Sequence, residues 1–210
     1  MRLEARQVSF RYAKGDRRIL THVDLCVEAG ERVALVGPSG CGKSTLARIL
    51  AGYLAPSEGT VLWNGKPLPA KGFCPVQLIC QHPELSVNPR HRMSKILCEA
   101  WTPDADIAEA MGIEAEWLSR RPNELSGGEL QRFCIVRALA PQTKFLVCDE
   151  ISTMLDVITQ AQIWELLLRV AKKNGLGMIV ITHNGALANR VCDRIISLPE
   201  INGDASIHPH

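Results

Sequence analysis

The sequence GPSGCGKST occupies residues 37–45 and matches the pattern G-x-x-x-x-G-K-[ST] in full. It lies between an apolar strand predicted at 32–36 and a helix predicted at 44–54. Glycines let the backbone curl so that successive N–H groups point inward, and the helix amino terminus adds free N–H groups and partial positive charge. A simple glycine-rich turn is the alternative, but four fixed positions in this context seldom coincide. The segment therefore predicts a binding site for a nucleotide phosphate chain.

Two side chains of this segment, called the phosphate loop below, have specific expected partners. Lys43 is expected to bridge the β- and γ-phosphates, and the Ser44 hydroxyl is expected to ligate Mg²⁺. The loop thus predicts a nucleotide and Mg²⁺ as cofactors, and by itself it does not separate kinases, GTPases and motor ATPases. The residues predicted to surround the nucleotide here are Gly37, Pro38, Ser39, Gly40, Cys41, Gly42, Lys43, Ser44 and Thr45.

A second motif, FLVCDE at 145–150, is an apolar strand that ends in two carboxylates. Sheets of α/β proteins bind ligands at the carboxyl ends of their strands, so these side chains are expected near the phosphates. Asp149 is predicted to hold Mg²⁺, and Glu150 is predicted to polarise an attacking water as a general base. A solvated strand end with no chemical role is the alternative.

A third motif, LSGGELQ at 125–131, places two glycines and a serine at the start of a helix. This arrangement predicts a second phosphate-binding helix terminus, although the chain has only one phosphate loop. The economical explanation is a head-to-tail pair of chains, in which each serine contacts the nucleotide held by the other chain. The residues expected at this second contact are Ser126, Gly127, Gly128 and Glu129.

The rest of the chain predicts an α/β fold with a mixed sheet core, organised as a single domain over 1–210. Alternating and apolar runs before residue 80 predict an antiparallel β subdomain, with a hairpin turn at Asn64-Gly65. A small helical subdomain is predicted at about 83–140, including a helix that starts at Thr102-Pro103. Strands and helices then alternate as in a parallel sheet, and a flexible tail is predicted at 199–210.

Composition and charge exclude several classes of protein. The chain of 210 residues is 46% apolar and 22% charged, which is ordinary for a folded domain and argues against disorder. A net charge of +2 is too small to suggest binding to nucleic acid. No apolar run reaches the roughly 20 residues that span a bilayer, and the amino terminus lacks a secretion signal, so a soluble cytosolic chain is expected. The eight cysteines show no C-x-x-C pair, and most are predicted to be reduced core or near-core residues.

The chain resembles the ATP-binding cassette ATPases of ABC transporters over residues 1–198. The resemblance rests on GPSGCGKST at 37–45, LSGGELQ at 125–131 and FLVCDE at 145–150, in the family's order and spacing. It implies a P-loop NTPase fold and ATP hydrolysis in a head-to-tail dimer. No regulatory domain is expected after the last strand. A non-hydrolysing binding module, which would lack the catalytic base or the switch histidine, is disfavoured because Glu150 and His183 are both present.

The resemblance assigns further residues one at a time. Tyr12 is similar to the aromatic that stacks on adenine, with a core tyrosine as the alternative. Gln81 is similar to the glutamine that touches Mg²⁺ and the attacking water, and a surface glutamine is the alternative. His183 is similar to the switch histidine that binds the γ-phosphate, with a structural histidine as the alternative. The loop Ser152–Asp156 (STMLD) is similar to one that contacts the opposite subunit. Asn184 departs from the family, which often has Asp there.

Within the family, LSGGELQR at 125–132, SVNPR at 86–90 and DEISTMLD at 149–156 resemble the peptide and nickel importer branch, particularly the second, shorter ATPase of a pair. That implies a second ATPase, homologous or identical, two membrane permease subunits and an extracellular binding protein as partners. The expected location is the cytoplasmic face of the membrane. Nickel or a metal chelate is favoured over di- and oligopeptides as cargo, and both stay open. A soluble cassette ATPase without a permease is the alternative function. Arg90–Arg92 is either a solvated basic turn or part of the permease contact, and His208 and His210 are either a metal site or a mobile tail.

Overall fold

The computed structural model describes residues 1–13, 15, 17–153 and 155–203. In this part of the chain the strands are β1 (Arg2–Phe10), β2 (Leu20–Glu28), β3 (Arg32–Val36), β4 (Glu58–Trp63), β5 (Lys66–Pro67), β6 (Val76–Ile79), β7 (Phe145–Asp149), β8 (Gly177–Ile181) and β9 (Arg194–Ser197). The α-helices are α1 (Lys43–Leu50), α2 (Met93–Leu97), α3 (Ala105–Ala110), α4 (Gly127–Ala138), α5 (Val157–Asn174), α6 (Gly185–Val191) and α7 (Leu198–Ile201). Short 3-10 helices cover Pro83–Ser86, Ala115–Ser119 and Pro122–Glu124.

The amino-terminal strands form an antiparallel sheet in the order β2-β1-β4-β5. Alternate residues of β2 are buried, as a strand with one face on the core requires. The predicted hairpin turn joins β4 to β5, and its residues Asn64 and Gly65 have φ of 51° and 75°. Two positive φ values suit the two-residue turn that matches the twist of the flanking strands.

The second sheet is parallel and has the strand order β6-β7-β8-β3-β9. All residues of β7 and β8 are buried, which explains why these strands read as unbroken apolar runs. The antiparallel sheet and α1 share one hydrophobic core with this sheet, while α2, α4 and α5 contribute to another. Because the strands are parallel, the segments after β3, β6, β7 and β8 lie along one edge. The predicted α/β fold with a mixed sheet core is confirmed.

The segment between β6 and β7 contains α2, α3, α4 and the three short 3-10 helices. The sequence expectation for α3 was wrong at its start, because the helix begins at Ala105 with Asp104 as the N-cap, and Thr102-Pro103 precedes it outside regular secondary structure. Thr102 and Asp104, two positions apart, are both residue types favoured at N-caps, and local sequence alone does not choose between them.

The carboxyl-terminal segment corrects another expectation. A flexible tail was predicted from residue 199, but α7 packs here, with Leu198 fully buried. The Asn202 side chain accepts from the Thr21 N–H at 2.7 Å and donates to the Ile19 carbonyl at 3.0 Å. Residues 199–203 are therefore attached to the antiparallel sheet. The rest of the predicted tail, residues 204–210 with His208 and His210, lies outside the described residues. Met154 lies outside them as well.

The cysteines are all free thiols, and only Cys134 and Cys148 are buried. The expectation that most are core or near-core residues holds, because four more cysteines are half-buried and only Cys26 and Cys98 are exposed. Cys26 lies on β2, whose burial alternates, so its side chain faces out of the sheet. No helix of the described ranges is both long and apolar enough to cross a bilayer.

Candidate functional site

Four neighbouring strands bring the predicted site residues to one edge of the parallel sheet. The phosphate loop follows β3, Gln81 follows β6, Asp149 and Glu150 end β7, and His183 follows β8. These residues are up to 146 positions apart in the sequence, from Gly37 to His183. The parallel arrangement alone makes them neighbours, as expected for a ligand site at the carboxyl ends of the strands.

The phosphate loop is closed around the ammonium group of Lys43. Its Nζ donates to the carbonyl oxygens of Gly37 and Pro38, both at 2.8 Å, and the residue is only 7% exposed. The charge is therefore held at the centre of the loop by the loop's own backbone. An incoming phosphate at this position would meet a preorganised cation in a largely desolvated environment.

Gly42 ends the loop and caps α1 in a conformation that other residues adopt poorly. Its φ is 104°, and a Cβ there would lie 2.9 Å from side-chain carbons of both Ile19 and Leu20. Because glycine has no side chain, it offers no oxygen to cap the first N–H groups of α1. Those groups have no partner within the helix, so they remain available to an anion.

Asp149 is buried beside Ser44, and its environment opposes its charge. Burial raises the pKa of its carboxyl group, while the hydrogen bond with the Ser44 side chain acts in the opposite direction. Its Oδ1 is buried and has no hydrogen-bond partner among the described residues. A hard divalent cation satisfies such an oxygen, and Ser44 supplies a second oxygen ligand alongside. The residues present therefore fit a Mg²⁺ ion.

The buried carboxylate leads to a stability prediction. Without Mg²⁺ and nucleotide at neutral pH, D149N is expected to be more stable than the wild type by about 1 kcal/mol, because it removes a buried charge whose Oδ1 has no hydrogen-bond partner among the described residues. Since the Asp149 pKa is raised, protonation relieves the same cost in the wild type, and the difference should vanish below about pH 4. Thermal unfolding followed by circular dichroism measures the stability difference at each pH. At neutral pH the melting temperature of D149N should exceed that of the wild type by about 2–4 °C.

Asp193 provides the matched control for this prediction. Its hydrogen bond with Arg32 holds its pKa below the usual range, so D193N should be destabilising at neutral pH. A melting temperature of D149N below that of the wild type, with D193N behaving as expected, contradicts the unpaired state of Asp149.

Glu150 is the centre of a second cluster. The Gln81 Nε2 donates to its Oε2 at 3.3 Å, and the His183 Nδ1 lies 3.5 Å from the same oxygen. The backbone of Glu150 has φ of 50°, which costs free energy in a residue with a long side chain, and its N–H donates to the Ile181 carbonyl at 3.1 Å. This backbone conformation fixes the carboxylate between the ends of β6 and β8.

The His183 side chain is 68% exposed, so it is not a structural histidine of the core. The residues on either side of it hold the loop. The Asn184 N–H donates to the Thr182 Oγ1 at 3.0 Å, and the Asn184 Oδ1 accepts from the Leu187 N–H at 3.1 Å as the N-cap of α6. Asn184 is thus a competent cap despite departing from the family's common Asp. The sequence reasoning missed Thr182, whose hydroxyl at the end of an apolar strand was the available signal.

Tyr12 lies beside α1 and is 58% exposed, so it is not a core tyrosine. Its hydroxyl is 3.2 Å from the Thr45 Oγ1, and its ring makes an edge contact with Phe10 at 5.0 Å between centroids. These two contacts hold an open aromatic face next to the helix that follows the phosphate loop.

The start of α4 is exposed at Ser126 and Gly127 and is closed by a capping box. The Ser126 Oγ accepts from the Glu129 N–H at 3.3 Å, and the Glu129 carboxylate accepts from the Ser126 N–H at 2.6 Å. Because the hydroxyl acts as an acceptor in the cap, its own proton remains free to donate to an anion. Gly128 packs closely behind, where a Cβ would lie 2.9 Å from the Leu155 side chain.

Comparison with known proteins gives concordant findings. Residues 20–153 match the family model described as ABC transporter. The nickel import ATP-binding protein NikE of Escherichia coli O6:K15:H31 (strain 536 / UPEC) is 36% identical, with 92% of this chain and 82% of that protein covered. NikE of Shigella dysenteriae serotype 1 (strain Sd197) gives the same values.

Solved structures agree with the sequence comparisons. The dimeric, post-hydrolysis ATP-binding cassette MJ0796 with ADP and Pi aligns with a TM-score of 0.79 and 25% identity, covering 93% of both chains. A bacterial Atm1-family ABC exporter with ATP bound aligns with a TM-score of 0.77 and 26% identity, over 93% of this chain and 37% of that one.

Proposed function

This chain belongs to the ATP-hydrolysing family of ABC transporters, and from that premise we propose that it is the ATPase subunit of an importer for nickel or a metal chelate. The proposal of nickel or a metal chelate as the cargo is supported by the 36% identity to nickel import ATPases over 92% of the chain. Di- and oligopeptides are the second candidate cargo, because the motifs at 86–90 and 125–132 resemble both kinds of importer.

In the proposed site, ATP lies on the phosphate loop with its adenine against Tyr12. Ser44, Asp149 and Gln81 would hold Mg²⁺, and the ion would neutralise charge on the bound phosphates. The unpartnered Oδ1 of Asp149 supports this assignment. Lys43 holds the β- and γ-phosphate oxygens with its ammonium group, which already lies at the centre of the loop.

Hydrolysis needs a water molecule placed in line with the bond to the γ-phosphate. Glu150 orients that water and accepts its proton, and Gln81 holds the carboxylate and the water in place. The exposed ring of His183 reaches the γ-phosphate and stabilises the charge that develops there. The shared oxygen of Glu150 supports the cooperation of these three side chains.

The second half of each site comes from a facing ATPase in a head-to-tail dimer. Ser126, Gly127, Gly128 and Glu129 of one subunit contact the γ-phosphate held by the other. The free proton of the Ser126 hydroxyl and the exposure of this helix terminus support that role. The loop Ser152–Asp156 contributes to the same contact. Each of the two γ-phosphates is contacted by both subunits only in the closed dimer, and these extra contacts supply the free energy of closure.

The remaining proposed partners are two transmembrane permease subunits and, indirectly, an extracellular binding protein. The chain then acts at the cytoplasmic face of the membrane as a peripheral subunit. The facing ATPase is either a second copy or a homologous chain.

A membrane pull-down tests the coupling to a permease. Tagged chain purified from detergent-solubilised membranes should recover two membrane subunits and a second ATPase in stoichiometric amounts. Radioactive nickel uptake should be lost in cells that lack the chain and restored by the wild type but not by K43A. Recovery with soluble proteins only contradicts the transporter and favours a soluble cassette ATPase. If the pull-down recovers the complex, but cells that lack the chain take up nickel normally and take up peptides poorly, the second cargo is favoured.

A further inference from the structure

Three side chains on one ridge of α4 bind three backbone carbonyls of the segment that follows β6. The Gln131 Nε2 donates to the Cys80 carbonyl at 3.2 Å, the Cys134 thiol to the Pro83 carbonyl at 3.9 Å, and an Arg137 nitrogen to the Ser86 carbonyl at 2.7 Å. We call these three contacts the α4 ladder. Donors and acceptors are each spaced by three residues, so helix and segment run in matched register.

The ladder is largely shielded from water, so its bonds are stronger than surface bonds of the same length. Gln131 and Cys134 are 3% and 4% exposed, and the Arg137 side chain is 20% exposed. Ser86 adds a bond from its hydroxyl to the Pro83 carbonyl at 2.9 Å, and its Oγ lies 3.4 Å from the Cys134 Sγ. The segment 80–86 is therefore attached to α4 along its whole length.

The ladder connects residues that act at two different nucleotides. One group surrounds the nucleotide held by this chain, and the other contacts the nucleotide held by the facing subunit. At its start, Cys80 immediately precedes Gln81, whose amide holds the Glu150 carboxylate. Just over one turn before Gln131 lies Ser126, the N-cap of α4 and the proposed contact with the nucleotide of the facing subunit. A movement of α4 is thus transmitted through Cys80 to the side chain that orients the catalytic carboxylate.

Gln131 carries a feature that packing does not explain. Its Oε1 is buried and has no partner within the part of the chain that the structure describes. An unpaired buried oxygen destabilises the fold, and an apolar side chain of similar size would avoid that cost. The amide at this position is therefore not optimal for stability, which points to a function for the bond that its Nε2 makes.

We propose that Gln131 and Arg137, with Cys134 between them, are positioning residues that couple docking of the Ser126 helix terminus to the alignment of Gln81 and Glu150. The ladder makes segment 80–86 move with α4, so that engagement of the facing nucleotide by α4 adjusts the Gln81 amide against the Glu150 carboxylate. This inference rests on the proposed ATPase function and adds the residues that carry the signal.

The main test variant is Q131M, which keeps the length of the side chain but removes both the donor and the unpaired oxygen. In the purified ATPase complex, kcat should fall about 10-fold, while KM for ATP and the nucleotide Kd stay within about two-fold, since the phosphate loop is untouched. The melting temperature should not decrease. A merely structural role predicts the reverse, a lower melting temperature with unchanged kcat.

A second variant pair checks the other end of the ladder. R137M should reproduce the loss of kcat, and R137K, which retains a donor, should restore at least half of the rate. R132M is the matched control, because Arg132 also lies on α4 and binds a backbone carbonyl, but that of Met111, outside segment 80–86.

Hydrogen exchange on the isolated full chain provides a readout that does not require hydrolysis. In Q131M, amides of 80–88 should exchange about 10-fold faster than in the wild type, while those of α4 keep their protection. Wild-type kcat and wild-type exchange in Q131M overturn the ladder. Equally raised exchange throughout α4 indicates general loosening and also overturns it. If the wild type binds no ATP, the proposed function is overturned. The hydrogen-exchange result would still test whether the ladder attaches segment 80–86 to α4.

Discussion

Replacing Glu150 by glutamine is expected to leave ATP binding within about two-fold of the wild type and to lower kcat by roughly 10²–10⁴-fold, the range of a lost general base. The amide has the size of the carboxylate and keeps an oxygen to accept the hydrogen bond from Gln81. It does not accept a proton from water at neutral pH. The backbone at φ 50° is unchanged by this substitution, so folding should be preserved.

Phosphate release by the purified ATPase complex measures the rate, and calorimetry measures binding. Because binding without turnover accumulates the closed state, E150Q should also run as a dimer with MgATP in size-exclusion chromatography and as the wild type without it. E165Q is the matched control, since Glu165 is an exposed carboxylate on α5 paired with Arg169. Wild-type turnover in E150Q would remove Glu150 from the role of base.

The sequence predicted the site because each motif is a local pattern with a local physical cause. The phosphate loop needs glycines at fixed positions, and an apolar strand that ends in polar residues reaches the ligand edge of a parallel sheet whatever the rest of the fold. Glu150 was predicted in this way, whereas Gln81 and His183, which also follow apolar strands, were assigned by the resemblance to the ABC ATPases. That they share a single carboxylate oxygen follows from the strand order, which no local pattern contains.

The features that sequence reasoning missed depend on contacts between distant segments. Asn202 fixes the end of the chain through bonds to Ile19 and Thr21, about 180 positions away. The α4 ladder joins Gln131 to Cys80 across 51 positions, and a glutamine among apolar helix residues was its only local signal. Polar side chains in such tails and helices are usually solvated, so the local sequence gives no reason to expect these contacts.

Replacing Lys43 by alanine is expected to weaken ATP binding by about 10- to 100-fold, which corresponds to the loss of charge-assisted hydrogen bonds worth about 1.5–3 kcal/mol. The ammonium group bonds both Gly37 and Pro38 carbonyls, so its loss removes the cation and also the bonds that keep the loop closed. Isothermal calorimetry with ATP measures the affinity, and K172A is the control, since Lys172 is an exposed lysine on α5.

The same variant separates a role in binding from a role in folding. Lys43 is a nearly buried charge, so its removal relieves a desolvation cost while losing two bonds, and the melting temperature without nucleotide should change little. The increase in melting temperature that saturating ATP gives the wild type should disappear in K43A. Unchanged affinity contradicts the phosphate loop as the ATP site. Lost affinity with a large fall in the nucleotide-free melting temperature would instead assign Lys43 to maintaining the fold, because the loop would then depend on its lysine before any phosphate arrives.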